Sequence, residues 1–317
     1  MLGGSGLVLN ALDFARHCFV GGLGHANSPM YPFLQPTASA TLKVSSPATR
    51  EFWEIPILYE DAHLLALDKP SGLLTSPDRR NPDRPSLIKL LHAGIERGAP
   101  WAVAGGRSYV MPAHRLDFET SGVLLLAKTK PVLVMVANWF GAENPGKKHL
   151  ALVQGTPAED RFQAEAKLAP HPVRSGLMRV DPKGGKRSVT VFEVRERFAG
   201  FALLQCELLT DRAHQARVHL RHAGLLVVGD ELYGGRPLLL SRLKREYRLK
   251  PNHTERPLLA RTALHAETLS LPHPVTREPL AITSPWPKDL TVAVKYLRRY
   301  ALAPGHDAIA GNIASGA

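Results

Sequence analysis

Cysteine is almost absent from this chain: Cys18 and Cys206 stand alone among 317 residues. Neither belongs to a Cys-x-x-Cys pair, which excludes a disulfide framework and a thiolate zinc site and suits a reducing cytoplasm. Long apolar runs are also missing. No stretch approaches the roughly 20 residues that a membrane-spanning helix needs. No basic amphipathic stretch suggests attachment to a membrane surface. Residues 1–20 carry no basic segment ahead of their apolar part, as a secretory signal would. Internal repeats are absent. Acids are scarce: 28 Asp and Glu face 40 Lys and Arg, a net charge of +12. Such a surplus attracts polyanions, nucleic acid above all.

An apolar share of 44% supports a substantial core. Residues 1–50 are short of acids and rich in Ser, Thr, Gly and Pro, and read as a disordered or loosely packed extension. An organellar transit peptide shares that bias but carries more Arg than Arg16 and Arg50 supply. The folded domain is expected over 51–300, with a Gly- and Ala-rich flexible tail over 301–317.

Within the domain, Ile57 to Glu60 and His63 to Asp68 read as strands, and Lys69-Pro70-Ser71-Gly72 breaks the second. Ser86 caps a helix reaching Glu96, and Gly98 to Gly106 reads as a loop. Thr129 and Pro131 open a helix to about Phe140, apolar nearly all round and therefore expected to be well buried. Lys148 to Gln154 and Phe201 to Leu209 read as strands, and a helix is expected from Arg212 to His222. The pattern gives an α+β fold.

The densest chemistry lies in His114-Arg115-Leu116-Asp117-Phe118-Glu119-Thr120-Ser121-Gly122, followed by the apolar run Val123-Leu124-Leu125-Leu126-Ala127. Thr-Ser-Gly favours a sharp bend, and a short bounded apolar run is the mark of a buried strand. Asp117 is therefore expected on a loop at the mouth of a sheet, ionised beside Arg115. A fixed carboxylate in that place can act as nucleophile or base.

This segment resembles the signature of the RluA-type pseudouridine synthases, His-Arg-Leu-Asp-x-x-Thr-Ser-Gly before a Leu-rich strand, and every defined position matches. Three further stretches resemble the same family: Leu209-Thr210-Asp211-Arg212-Ala213-His214-Gln215-Ala216-Arg217-Val218-His219-Leu220, then Gly229-Asp230 with Tyr233-Gly234, then Leu264-His265-Ala266. The resemblance covers roughly Ile57 to Trp286. It implies a mixed, largely antiparallel sheet with flanking helices and a central catalytic cleft. It also implies isomerisation of specific uridines in ribosomal or transfer RNA to pseudouridine, without metal or organic cofactor. By the same resemblance Asp117 is the nucleophile, Arg212 its ionic partner, and His149 faces the base. Arg115, His114, Thr120, Arg217, Ala216 and Tyr233 then belong to the substrate site, Arg115 filling the space that the uridine vacates. The implied partner is RNA, met by a cytoplasmic monomer.

Three positions depart from the family pattern. His149 stands where the family has Tyr, Asp211 where it has Gly, and Ala216 where it has a branched apolar residue. A histidine is planar and titrates near neutrality, so it can stack on a base or accept a proton. These departures leave an alternative in view: an RNA-binding protein of the same fold, inactive or weakly active. Arg217 and Arg221, four apart on one helix face, either meet phosphates or are solvated. His214, His219 and His222 do not share one face, so packing is favoured over metal binding.

Overall fold

The computed structural model describes residues 40–78, 80–142, 145–249 and 252–302. The expectations for most of the extension, Cys18 included, and for nearly all of the tail fall outside the described residues. Elements follow in chain order: β1 (Thr41–Ser46), β2 (Glu51–Glu60), β3 (Leu64–Lys69), α1 (Leu87–Glu96), α2 (Pro100–Ala104), β4 (Met111–Pro112), β5 (Ser121–Ala127), α3 (Lys130–Gly141) and β6 (Gly146–Gln154). Then come β7 (Arg161–Pro170), β8 (Met178–Val180), β9 (Lys186–Phe198), β10 (Phe201–Leu208), α4 (Gln215–His222), β11 (Leu226–Val227), β12 (Leu264–Pro272), β13 (Pro279–Thr283) and α5 (Lys288–Tyr300).

The strands form one sheet in the order β1-β2-β3-β5-β12-β6-β10-β9-β7-β8, with β4 on β5, β13 on β12 and β11 on β6. Among the described strands, β5 and β12 make the one parallel pairing, at His265 with Ser121 and Ala266 with Gly122. All other pairings are antiparallel. The mixed, largely antiparallel α+β fold is thus the one expected.

β5 explains why its sequence is apolar without a break. Leu124 and Leu126 face the cluster built with Leu87, Leu91 and Ile55. Val123, Leu125 and Ala127 face the opposite cluster, with Val132, Val136 and Ile282. A strand covered on both faces needs apolar residues at every position. Each buried Leu or Val contributes about 1.5–3 kcal/mol of transfer free energy. The segment that begins with His114 therefore runs into a stiff central strand. Gly122 cannot be replaced freely: its φ is +113°, and a Cβ would strike the backbone carbonyl of Ala266 across the parallel pairing.

Four local expectations need correction. Residues 41–46, assigned to the loose extension, form β1, paired in register with β2 and burying Leu42 and Val44. The second strand also starts earlier, at Glu51. The loop expected over Gly98 to Gly106 contains α2, which Pro100 opens at its first turn. α3 is not buried all round: only Val132, Val136 and Phe140 are fully covered, and Val134 is 53% exposed.

Candidate active site

The loop ahead of β5 is fixed from two sides. Thr120 N–H donates to the carbonyl of Asp117 at 3.2 Å, which closes a turn around the acid. On one flank the Lys69-Pro70-Ser71-Gly72 bend holds the loop backbone. Gly72 N–H donates to Phe118 O at 2.8 Å, and the Ser71 hydroxyl donates to Glu119 O. The Thr75 hydroxyl accepts from Leu116 N–H at 3.2 Å and donates to Leu116 O at 3.1 Å. Lys69 braces this bend from within: fully buried, it donates to Pro70 O at 2.8 Å and Leu73 O at 2.7 Å. Burial brings its pKa down to about 7, although the carboxylates of Asp117 and Glu119 pull the other way.

The second flank is α4. Arg217 is 1% exposed and forks onto Asp230, with Nε to Oδ2 and Nη2 to Oδ1 both at 2.7 Å. Its remaining Nη1 donates to Glu119 Oε2 at 3.1 Å and lies 3.5 Å from Asp117 Oδ2. Burial alone would lower its pKa; Asp230 first, then Asp117 and Glu119, push it up instead. A permanent cation thus ties three carboxylates together behind the loop. His214 joins them in a left-handed conformation, φ 54°, with Nε2 at 3.9 Å from Asp117 Oδ1 and Nδ1 at 2.8 Å from the Tyr233 hydroxyl. Tyr233 also accepts from Met178 N–H at 3.0 Å, and desolvation drives its pKa up to about 12. It supports the site from behind and does not line the cavity around Asp117.

That cavity brings together most of the residues singled out from the sequence. His114, Arg115, Asp117 and Thr120 line it from the loop, His149 from β6, and Arg212 and Ala216 from the segment entering α4. The carboxylate of Asp117 is 21% exposed, neither sealed away nor free to wander. Arg115 is exposed at the rim. His114 stacks on Phe140, with ring centroids 4.6 Å apart, and its Nε2 accepts from Leu125 N–H at 3.0 Å.

Arg212, expected as the ionic partner of Asp117, lines the same cavity, and Arg217 lies against the carboxylate as well. The Arg217 guanidinium comes within 3.5 Å of Asp117 Oδ2. The helix begins at Gln215, not at Arg212, so Arg212 precedes it and donates to Asp211 O at 2.9 Å while lining the same cavity. Arg217, on the first turn, points inward. It neither meets solvent nor is open to a phosphate, whereas Arg221 is exposed. The helix entry is also not capped as expected. The Thr210 hydroxyl donates to Gln215 Oε1 at 2.7 Å and accepts from Val189 N–H at 2.9 Å. Asp211 instead pairs with Lys147 at 3.0 Å. His219 is buried, with Nδ1 2.9 Å from Thr190 Oγ1.

His149 behaves differently from a surface histidine. It is 8% exposed, and desolvation lowers its pKa to about 3, with Asp211 opposing and Lys147 reinforcing the shift. The ring is therefore neutral at neutral pH, and its expected titration near pH 7 is lost to burial. Sequence reasoning missed the parts played by Glu119, Asp230, His214 and Lys69. Asp230 and Lys69 lay within recognised motifs, but nothing local showed that they converge on one loop.

Known proteins resemble this chain in sequence and in fold. The profile of a family described as RNA pseudouridylate synthase matches residues 63–222. Ribosomal large subunit pseudouridine synthase D of Xanthomonas campestris is 36% identical over 248 residues, 76% of this chain and 69% of that one. Ribosomal large subunit pseudouridine synthase C of Vibrio vulnificus is 32% identical over 245 residues, 76% of this chain and 69% of that one. The fold is shared with the solved structure of human RNA pseudouridylate synthase domain containing 4. That similarity has a TM-score of 0.57 at 22% identity and covers 76% of this chain and 92% of that one. The family profile spans the Asp117 loop and α4 alike, and with relatives of this similarity the chain belongs to the RNA pseudouridylate synthases, enzymes of the isomerase class.

Proposed function

We propose that this enzyme isomerises uridine in large-subunit ribosomal RNA, with Asp117 as nucleophile. The observation that carries the reading is the Asp117 carboxylate facing a cavity while Arg217 holds it from behind. Relatives named for the large ribosomal subunit support the choice of substrate. The N1–C1′ bond breaks, the uracil turns, C5 joins C1′, C5 gives up its proton and N1 gains one. Asp117 adds to C1′ of the sugar or to C6 of the base. The rearrangement is redox-neutral and transfers nothing in or out, so the reading requires no cofactor. It takes the enzyme to act as a cytoplasmic monomer.

The uridine must leave its stack to reach Asp117, at a cost of about a few kcal/mol. Phosphate contacts along the basic surface offset that cost, and in this reading Arg115, exposed at the cavity, fills the gap. The buried neutral ring of His149 supplies a flat platform for the base, and its depressed pKa makes it a poor proton acceptor at neutral pH. His149→Phe, which keeps a flat ring and removes both nitrogens, is accordingly expected to change the single-turnover rate by less than about tenfold. A much larger loss would mark it as the base.

The test of the function is tritium release from large-subunit ribosomal RNA transcripts carrying [5-³H]uridine. Release from a small, fixed number of sites per transcript is the expected result. Release only from transfer RNA transcripts would overturn the substrate, and none from either would overturn the isomerase reading.

A further inference from the structure

Lys147 is 5% exposed and lines the cavity that Asp117 faces. Its ammonium lies 3.0 Å from Asp211 Oδ2 and 5.7 Å from the centre of the Phe140 ring. Yet this buried nitrogen makes no directed hydrogen bond among the described residues. An ammonium carries three hydrogens, more than one nearby carboxylate oxygen can satisfy, and a ligand that supplies a further acceptor is bound in return. Asp211 lines the same cavity with its side chain 38% exposed, so its carboxylate is open on the side away from Lys147. Asp117 and Asp211 are the two carboxylates among the described residues that line this space. With Asp117 committed to the bond-making step, Asp211 remains as an acceptor-only group beside a donor-only group.

That order of groups matches one nucleobase edge. Uracil presents C4=O, N3–H and C2=O in a row, an acceptor, a donor and an acceptor. Resting on the uridine-isomerase reading above, we propose that Asp211 accepts the N3–H of the everted uracil while Lys147 donates to the adjacent carbonyl. With Lys147 on C4=O of the bound uridine, cytosine reverses both contacts: its N3 lone pair would face the carboxylate and its amino group the ammonium, so the pair rejects it by repulsion as well as by lost bonds. The chemistry gives the contact a second use. Turning uracil by half a revolution about its N3–C6 axis exchanges N1 with C5 and C2=O with C4=O, and leaves N3–H where it was. A carboxylate on N3–H is therefore a pivot. It holds the detached ring through the turn, and Lys147 meets a carbonyl oxygen before and after.

The experiment uses a synthetic RNA fragment that the wild-type enzyme converts, prepared with uridine, N3-methyluridine or 4-thiouridine at the target position. Conversion of the uridine form secures the isomerase reading independently of this proposal. N3-methylation is expected to slow single turnover by the wild-type enzyme on the order of 10- to 100-fold. Asp211→Ala should be slow on uridine by a similar factor and nearly indifferent to the methyl group. An Asp211→Ala enzyme that keeps the full methyl penalty overturns the contact. Should that variant fold poorly, the wild-type enzyme alone decides through 4-thiouridine, whose sulfur is a weak acceptor. A loss of about tenfold is expected, and an unchanged rate overturns the Lys147 contact.

Discussion

Asp117→Asn is expected to lower pseudouridine formation on the order of 10⁴-fold or more, the scale seen when a nucleophile is removed. Asparagine keeps the size and planarity of the side chain and still offers Arg217 an acceptor oxygen. It loses the charge and the nucleophilic oxygen pair. Arg217 retains its fork on Asp230 and its bond to Glu119, so the scaffold behind the loop persists. The backbone bonds to Thr75, Ser71 and Gly72 do not involve the substituted group. RNA affinity at fixed salt should change by less than about threefold, because phosphate contacts dominate it. Filter binding alongside tritium release separates the two effects. Turnover within about tenfold of wild type would remove Asp117 from the chemistry. A parallel loss of binding would make it a structural residue.

Much of this site was legible because its signals are local. Thr120, Ser121 and Gly122 are turn residues beside a continuous apolar run, and that pairing of bend and buried strand placed Asp117 at the head of β5. What failed was long-range. The ion pair between Asp117 and Arg217 joins residues separated by 100 positions, and which arginine of α4 points inward depends on where the helix starts. The helix starts at Gln215, which puts Arg217 on its buried first turn and Arg221 on its exposed side. Burial was misread in both directions. α3 is apolar in composition, but one face is left open and Arg277 covers Trp139 through its ring. β1 looks like leader in its Ser and Thr content, but the alternation of Leu42, Val44 and Ser46 buries every second residue against the sheet. The change in character of His149 belongs to the same class, since desolvation comes from the sheet around it and not from its neighbours in sequence.

The three departures from the family pattern meet in one place. His149, Asp211 and Ala216 all line the cavity of Asp117. In the sequence they left open an inactive or weakly active RNA-binding protein of the same fold. Together they exchange a bulkier apolar wall for space at Ala216, a neutral ring at His149 and a charged edge at Asp211, with Lys147 already beside it. An inactive RNA-binding protein would have no need of a buried arginine clamped on three acids behind the loop that carries Asp117 into the same cavity.

Removing that clamp should have the largest effect on stability. Arg217→Met is expected to destabilise the fold by about 3–5 kcal/mol, the usual result of stripping one partner from a buried ion pair. The side chains of Arg217 and Asp230 are each 1% exposed, so water cannot replace the lost fork. Glu119 and Asp117 would then repel each other and Asp230 across the vacated space. Lysine is a poor substitute, because a point charge cannot fork onto Asp230 and reach Glu119 at once. The pH dependence identifies the cause. Stranded carboxylates take up protons in the folded variant that they would not hold when unfolded. The folded state then binds more protons, and the deficit relative to wild type shrinks as pH falls from about 8 to 5. A deficit that stays constant or grows on acidification would mean that lost packing, and not three uncompensated acids, accounts for the damage. Urea denaturation at several pH values makes the comparison. In the same variant turnover should fall by several orders of magnitude even where the fold survives, since Asp117 loses the cation that aims it into the cavity.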